Sequence, residues 1–381
     1  MSPVWLNSAV ARLRGRFEKL LAPADIRLDG DRPWDPQIHD ERVFTRALAT
    51  GTVGIGEAYM DGWWSCAQLD GLVERVTRFR ATAKLGSPRD LLDVARARLT
   101  NEQRGRRAWK VGQQHYDLGN DLYEAMLDKR MMYSCGYWAT ADDLDQAQLD
   151  KLDLIAAKLG LEPGMRVLDI GCGWGGAARH FAAEYGCELV GVTVSVEQAE
   201  LARRTVAGLP VDVRVTDYRT LDEPFDRVYS IGMFEHVGHK NYRTYMEVVR
   251  RCLNAPDALH LLHTIGRLTT TARIDPWIAK YIFPNSMLPS AALIARAHES
   301  LLVLEDWHSF GPDYDRTLMA WHDNVAAAWD QLPAYDDRFR RMWDFYLLAS
   351  AGSFRARANQ LWQLVLSRDG LPGSYRPARV R

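Results

Sequence analysis

Arg166-Val-Leu-Asp-Ile-Gly-Cys-Gly-Trp-Gly-Gly176 is the stretch on which the fold of this 381-residue chain turns. Val167, Leu168 and Ile170 form an apolar run of the length of one buried strand. Asp169 stands near the end of that run, and glycines at alternating positions then mark a turn too tight for side chains, with a helix starting behind it. Such a turn lets backbone N–H groups approach a ligand and aims a helix N-terminus at it.

Two cofactors suit that geometry. Gly171, Gly173 and Gly176 satisfy the dinucleotide pattern G-x-G-x-x-G. Asp169, Gly171, Gly173 and Gly175 satisfy the D-x-G-x-G-x-G pattern of S-adenosylmethionine (SAM) methyltransferases. The next strand favours the second. A dinucleotide site asks for an acid at the end of its second strand, whereas Glu188-Leu-Val-Gly-Val-Thr193 carries its only acid at the start. Asp217, after the alternation Val211–Val215, stands where a methyltransferase would hold adenine. A purely structural glycine turn is the remaining reading.

From Gly164 onward strands and helices alternate. Strands are predicted at 166–170, 188–193, 211–215, 226–231 and 258–265, with helices at 176–185, 196–207 and 240–253. That alternation predicts an α/β fold: a Rossmann-like methyltransferase domain whose parallel sheet is covered on both faces and binds ligands at the carboxyl ends of its strands. Beyond Ile265 the pattern loosens, and Asp315 to Leu366 reads as a helical tail. Residues 1–105 read as a smaller, mainly helical domain, and 106–381 as the catalytic domain. Within the first, 9–21, 41–48 and 91–99 have helical spacing, Gly51–Gly56 reads as a turn-rich break, and Asn101–Lys110 as a linker.

A formal net charge of −1 gives no global pull towards nucleic acid. Residues 71–110 differ, with eleven basic side chains against four acids. Such a run is either a solvated helical face or a patch for an anionic membrane surface. Trp63 and Trp64 likewise suit either a membrane interface or a core. Five scattered cysteines without metal-ligand spacing fit a reducing cytosol. No charged-then-apolar signal pattern opens the chain, and no apolar stretch reaches the roughly 18 residues of a spanning helix.

Several segments carry reactive groups beside long apolar ones: Gln114–Tyr123, Met132–Trp138, Met233–Gly238, Leu262–Ile265 and Phe310–Asp315. Singly, His263, Glu235, Cys135 and Tyr314 each have a structural explanation as a core or helix-end residue. Glu235 and His263, however, both follow the carboxyl ends of strands in the sheet that bears the glycine turn, and should face its cleft.

Together the motifs resemble the cyclopropane-fatty-acyl-phospholipid synthases, bacterial SAM-dependent enzymes related to the mycolic-acid cyclopropane synthases. The resemblance rests on Gly56–Trp64, His115-Tyr-Asp-Leu-Gly-Asn120, Tyr133-Ser-Cys135, the glycine turn, Phe234-Glu-His-Val-Gly238, His263-Thr-Ile265 and Asp313-Tyr-Asp315. Gly136 and Ser350-Ala-Gly-Ser353 depart from the family pattern without touching those residues. The resemblance implies methyl transfer from SAM to a cis double bond of a phospholipid acyl chain, closed to a cyclopropane.

It further implies a bound bicarbonate as proton acceptor, held by Cys135, Glu235, His263, Ile265 and Tyr314. His263, the Ile265 backbone N–H and the Tyr314 hydroxyl would donate to the anion, and Glu235 would accept from its single O–H. SAM contacts carried over are Tyr133, Ser134, Gly171, Gly173, Thr193, Gln198, Asp217 and Tyr218. Tyr137, Trp138, Trp277 and Tyr281 are candidate aromatic walls for a cationic intermediate. The family also implies a homodimer, unsaturated phospholipid in the bilayer as partner, and a cytoplasmic protein peripheral to the inner face of the membrane. Two other readings are a C-methyltransferase of lipid or small-molecule alkenes without ring closure, and a membrane-binding protein with a vestigial SAM pocket.

Overall fold

The computed structural model describes residues 3–83, 119–271 and 274–379. The expected helix 91–99, the linker Asn101–Lys110, the basic residues from Lys84 onward and His115–Leu118 of the family motif lie outside these.

Seven strands form the central sheet: β3 (Arg166–Ile170), β4 (Glu188–Thr193), β5 (Val211–Val215), β6 (Arg227–Ile231), β7 (Leu259–Arg267), β8 (Val303–Ser309) and β9 (Asn359–Ser367). Their order is β5-β4-β3-β6-β7-β9-β8. The first five run parallel, so the ends of β3, β4, β5 and β6 converge at one rim. Helices must then cross over both faces, which is why Val167, Leu168 and Ile170 are all buried, whichever way they point. The glycine turn follows β3 at that rim. Gly171, Gly173 and Gly175 all adopt positive φ (94°, 52° and 83°), which L side chains rarely tolerate, and the helix Gly176–Tyr185 begins directly behind them.

The chain end departs from the expected helical tail. Pro312–Ala328 and Asp337–Arg355 are helices, but Asn359–Ser367 is the buried strand β9, antiparallel to both β7 and β8. Its Leu-Trp-Gln-Leu-Val-Leu run is apolar without a helical stripe, because both faces of a central strand are covered.

The N-terminal region is helical as expected, with α1 (Pro3–Leu21), α2 (Arg42–Thr50), α3 (Thr52–Met60) and α4 (Leu69–Ala83), plus a two-stranded ribbon of β1 (Gln37–Ile38) and β2 (Trp64–Ser65). The expected break over Gly51–Gly56 is wrong. Only Gly51, at φ 62°, interrupts the helices; Gly54 and Gly56 lie inside α3 as points of close approach. A Cβ on Gly54 would fall 2.3 Å from the Arg46 carbonyl oxygen, and one on Gly56 would fall 2.4 Å from the Trp277 indole. Trp64 is core, its indole N–H donating to the Ile55 carbonyl, while Trp63 lies under the Arg42 and Arg46 guanidiniums. Of the basic run, Arg75 stacks on Trp34, and Arg78 pairs with Glu74 and donates to the Arg355 carbonyl. No helix among the described residues is long and apolar enough to cross a membrane.

Gly56 therefore tests packing against propensity. Alanine is the better helix former by up to about 1 kcal/mol, yet its methyl group would overlap Trp277. Gly56→Ala is expected to destabilise the protein by about 1–3 kcal/mol, read as a lowered midpoint of chemical denaturation; a raised midpoint would contradict the packing argument.

Candidate active site

A cavity of about 220 Å³ opens at the rim where β3, β4, β5 and β6 end. Of the residues expected to hold SAM, Tyr133, Ser134, Asp169, Gly171, Gly173, Thr193, Gln198, Asp217 and Tyr218 line it. Gly175 does not. A Cβ there would point at Ala202 and Val206, so its part is to turn the chain into the helix, and Gly176 lines the cavity instead.

The walls are built locally. Ser195 caps the helix Val196–Thr205 by accepting from the Gln198 N–H at 3.1 Å, and Gln198 Oε1 takes the Thr193 hydroxyl at 3.0 Å. Asp217 caps a short 3₁₀ turn and is gripped by Arg219, whose hydrogen bonds outweigh burial and hold its carboxyl below the usual range. Asp169 is enclosed, and burial pushes its carboxyl up to about 7 against the Tyr229 hydroxyl, which donates at 2.8 Å. A Cβ on Gly173 or Gly232 would meet nothing within 4 Å, so bare backbone faces the cavity at both. A buried acid, backbone without side chains and a helix N-terminus at the cavity fit the polar, charged SAM molecule.

The five members of the second expected cluster do not line this cavity, so Glu235 and His263, expected to face it, are buried behind its lining residues instead. Two of the five come together through one helix face. Thr317 of Pro312–Ala328 accepts from the Gly136 N–H at 3.0 Å and lies 3.8 Å from the Cys135 sulfur, and Tyr314 sits one turn earlier on the same helix. Burial pushes the Cys135 thiol well up, so it stays protonated. Cys135 and Tyr314 share a buried cluster with Tyr137, Phe310 and Trp321, against which Ile265 packs. His263 enters through Phe310, at 5.9 Å between ring centres.

Glu235 follows β6, and its Oε1 accepts the Ile265 N–H at 2.7 Å. This changes one expected role: the Ile265 amide is committed to the carboxylate rather than left for an anion, because a buried carboxylate needs a donor of its own. Burial pushes Glu235 up to about 7, against the Ile265 amide and, less, the Thr264 hydroxyl, which favour the ionised form. Glu235 Oε2 and His263 Nε2 are buried with no hydrogen-bond partner among the described residues. Burial, then the charges of Lys151 and Lys158, push His263 well down, so its ring is neutral.

Of the four expected aromatic walls, Tyr137 and Trp138 lie in the buried cluster of Cys135 and Tyr314, and Trp277 and Tyr281 engage α3. Trp277 packs on Phe345 and Gly56, Tyr281 donates to Glu57, and the Trp138 indole donates to Thr317. Beside the cavity stand Tyr133, Phe283 and His236 instead, and burial holds the last at about 4 and so neutral. Sequence reasoning also missed Gln148, Lys151 and Lys158. Lys151 donates to Ser134 Oγ at 2.8 Å from a position with no solvent exposure. Two lysines in an amphipathic helix read as a solvent face, so nothing in the pattern announced them.

Residues 103–364 match the family model described as mycolic acid cyclopropane synthetase. The chain is 51% identical over 363 residues to the cyclopropane-fatty-acyl-phospholipid synthase of Escherichia coli, covering 95% of this chain and 94% of that one. It is 32% identical to the tuberculostearic acid methyltransferase of Mycobacterium tuberculosis, over 88% and 83% of the two chains. Among solved structures it is similar to the M. tuberculosis cyclopropane synthase MmaA2 (30% identity, TM-score 0.65, 70% of this chain and all of that one). A second is the mycolic acid cyclopropane synthase CmaA1 complexed with SAH and CTAB (32% identity, TM-score 0.63, 68% and 98% of the chains).

The half-compensated carboxylate has a thermodynamic signature. Glu235 binds its proton more tightly in the fold, at about 7, than at its ordinary 4.5. The fold therefore loses stability as pH rises between those values and carries the whole cost, on the order of 3 kcal/mol, above them. Glu235→Gln is expected to melt several degrees above the parent at pH 8, with the difference closing by pH 5. Equal melting curves at both pH values would mean that Glu235 is solvated.

Proposed function

The chain belongs to the mycolic acid cyclopropane synthetase family, and from that premise we propose that it cyclopropanates phospholipid acyl chains at a cis double bond. It is a SAM-dependent methyltransferase, with S-adenosylhomocysteine as the second product. The observation that supports the finer reading is that Glu235 Oε2 and His263 Nε2 are both buried and unpartnered, the first on a residue flanked by the cavity-lining Met233 and His236. They fit bicarbonate. Its single O–H gives Glu235 something to accept, and its oxygens give His263 something to donate to. An anion with no proton would instead be repelled by the carboxylate.

When bound, SAM supplies an electrophilic methyl group and bicarbonate supplies a base. The chain's own residues do the rest. Asp217, Gln198 and the bare backbone at Gly171 and Gly173 would hold the donor. The aromatic cluster excludes water, which would otherwise compete with an alkene, a poor nucleophile. The π faces of Tyr133 and Phe283 favour the positive charge that develops on carbon. The Tyr314 hydroxyl and the His263 ring then act as neutral donors around the base, while the Cys135 thiol, which donates to the Gly136 carbonyl, packs beside them. Glu235 must be ionised to accept, so protonating it removes the acceptor. We propose further that the enzyme meets its lipid at the membrane surface, drawing the acyl chain rather than the whole lipid into the fold.

Purified protein given methyl-labelled SAM and vesicles of cis-unsaturated phospholipid is expected to yield acyl chains heavier by one CH2 and lacking the double bond. A chain that gains the label but keeps unsaturation would mean methylation without ring closure, and untouched lipid with SAM consumed on another substrate would end the assignment. Glu235→Gln is expected to lower kcat by about 10²–10⁴. Parent activity is expected to fall as pH is lowered through about 7, as Glu235 takes up its proton.

A further inference from the structure

His263, Gln363 and His308 stand in one row across three strands. The antiparallel register pairs His263 of β7 with Gln363 of β9, and Gln363 with His308 of β8. Opposed residues of antiparallel strands project to the same face. Lys158, near the end of the helix Leu144–Leu159, lies against that row at 1% exposure. Its ammonium donates to Gln363 Oε1 at 2.8 Å and to His308 Nδ1 at 3.0 Å. Asp306, 3.8 Å away and held by Arg379, supplies the counter-charge.

An ammonium has three donors and no acceptor, so the end of the Gln363 amide that faces Lys158 is the oxygen. The amide nitrogen is left facing His263 Nδ1 at 3.1 Å and donates to it. Nδ1 is therefore the acceptor of a neutral imidazole, and the ring proton sits on Nε2. Nε2 is the atom buried without a partner.

We infer that Lys158, acting through Gln363, is a positioning residue that fixes His263 as the Nε2–H tautomer, so that the ring presents a donor to the site beside Glu235. Neither Lys158 nor Gln363 reaches the reacting atoms. The tautomer follows from the hydrogen bonds alone; its consequence for turnover rests on the anion reading proposed above.

Gln363→Glu separates positioning from packing. It conserves size and gives Lys158 a counter-ion, but puts an acceptor at both ends of the side chain. His263 can then keep its bond only with a proton on Nδ1, and because burial and the nearby lysines oppose an imidazolium that proton comes from Nε2. Nitrogen-15 NMR of histidine-labelled full-length protein reads the two ring nitrogens, with His263 assigned from the signal missing in His263→Asn. The parent is expected to show a bare Nδ1 and a protonated Nε2, and Gln363→Glu the reverse. In that variant kcat is expected to fall about tenfold to a hundredfold, the usual cost of losing the partner that orients a functional histidine, with KM for SAM unchanged. Lys158→Met, which frees the amide to turn, is expected to show both tautomers and an intermediate kcat. A parent ring protonated on Nδ1 overturns the proposal, and so does a reversed tautomer with unchanged kcat. Should the parent not act on unsaturated lipid at all, the proposed function fails, while its tautomer still decides the relay.

Discussion

A carboxylate taken out of water has to be compensated, and Glu235 is compensated on one side only. The reason lies in strand lengths. β6 ends at Ile231, opposite His263, while β7 runs on to Arg267. The Ile265 N–H therefore projects past the last residue of its parallel neighbour, with no strand left to accept it. The chain leaving β6 turns through a short 3₁₀ segment, pinned by the Met287 N–H on the Glu235 carbonyl, and delivers the Glu235 side chain to that amide. One carboxylate oxygen repairs a sheet edge and the other is left for something else. A single overhang thus joins the rim of the sheet, where the cavity opens, to the aromatic interior.

Much of this was legible in the sequence because the parallel half of the sheet is locally coded. Strands 166–170, 188–193 and 211–215 fall where the apolar runs put them, and glycine at positive φ marks the cofactor turn. The C-terminal third is different. β9 follows the helix Asp337–Arg355 after three residues, and the residue at positive φ there is Arg357, so no glycine or proline punctuates the change. A both-faces-buried strand and a buried helix share one apolar composition, and only tertiary pairing separates them. The Gly51–Gly56 misreading has the opposite cause. Glycine there serves contact rather than turn, and the contact, with Trp277, is more than 200 residues away in the chain.

The site residues split along the same line. Asp169, the glycines behind it and Asp217 follow strands and could be placed from periodicity, whereas Tyr133, Ser134 and Gln198 of the same cavity came from resemblance. Those around the second cluster came from resemblance, because Cys135, His263 and Tyr314 arrive from three unrelated elements. What neither route reached was the layer behind them. Gln363 lies in the strand that had been read as helix, and a helical reading would have pointed it away from His263 altogether.

Two buried ammonium groups beside a site proposed to favour a carbocation look misplaced, and their positions resolve the difficulty. Lys151 and Lys158 are seven residues apart, two turns along one helix face, and each is spent on a neutral acceptor: Ser134 Oγ and Gln148 Oε1 for the first, Gln363 Oε1 and His308 Nδ1 for the second. Asp128 attracts Lys151, and Asp306 attracts Lys158. Their charge is partly cancelled, and what remains is relayed as oriented amide, hydroxyl and imidazole dipoles. Burial pushes Lys151 down to about 8 and Lys158 to about 7, and the attraction of Asp128 and Asp306 works against it. A neutral histidine results from both causes, since the field of the lysines and the loss of water each oppose an imidazolium. Positive charge is thereby kept off the His263 ring, while the ring's N–H polarity is retained, which is the combination that the proposed anion site would require.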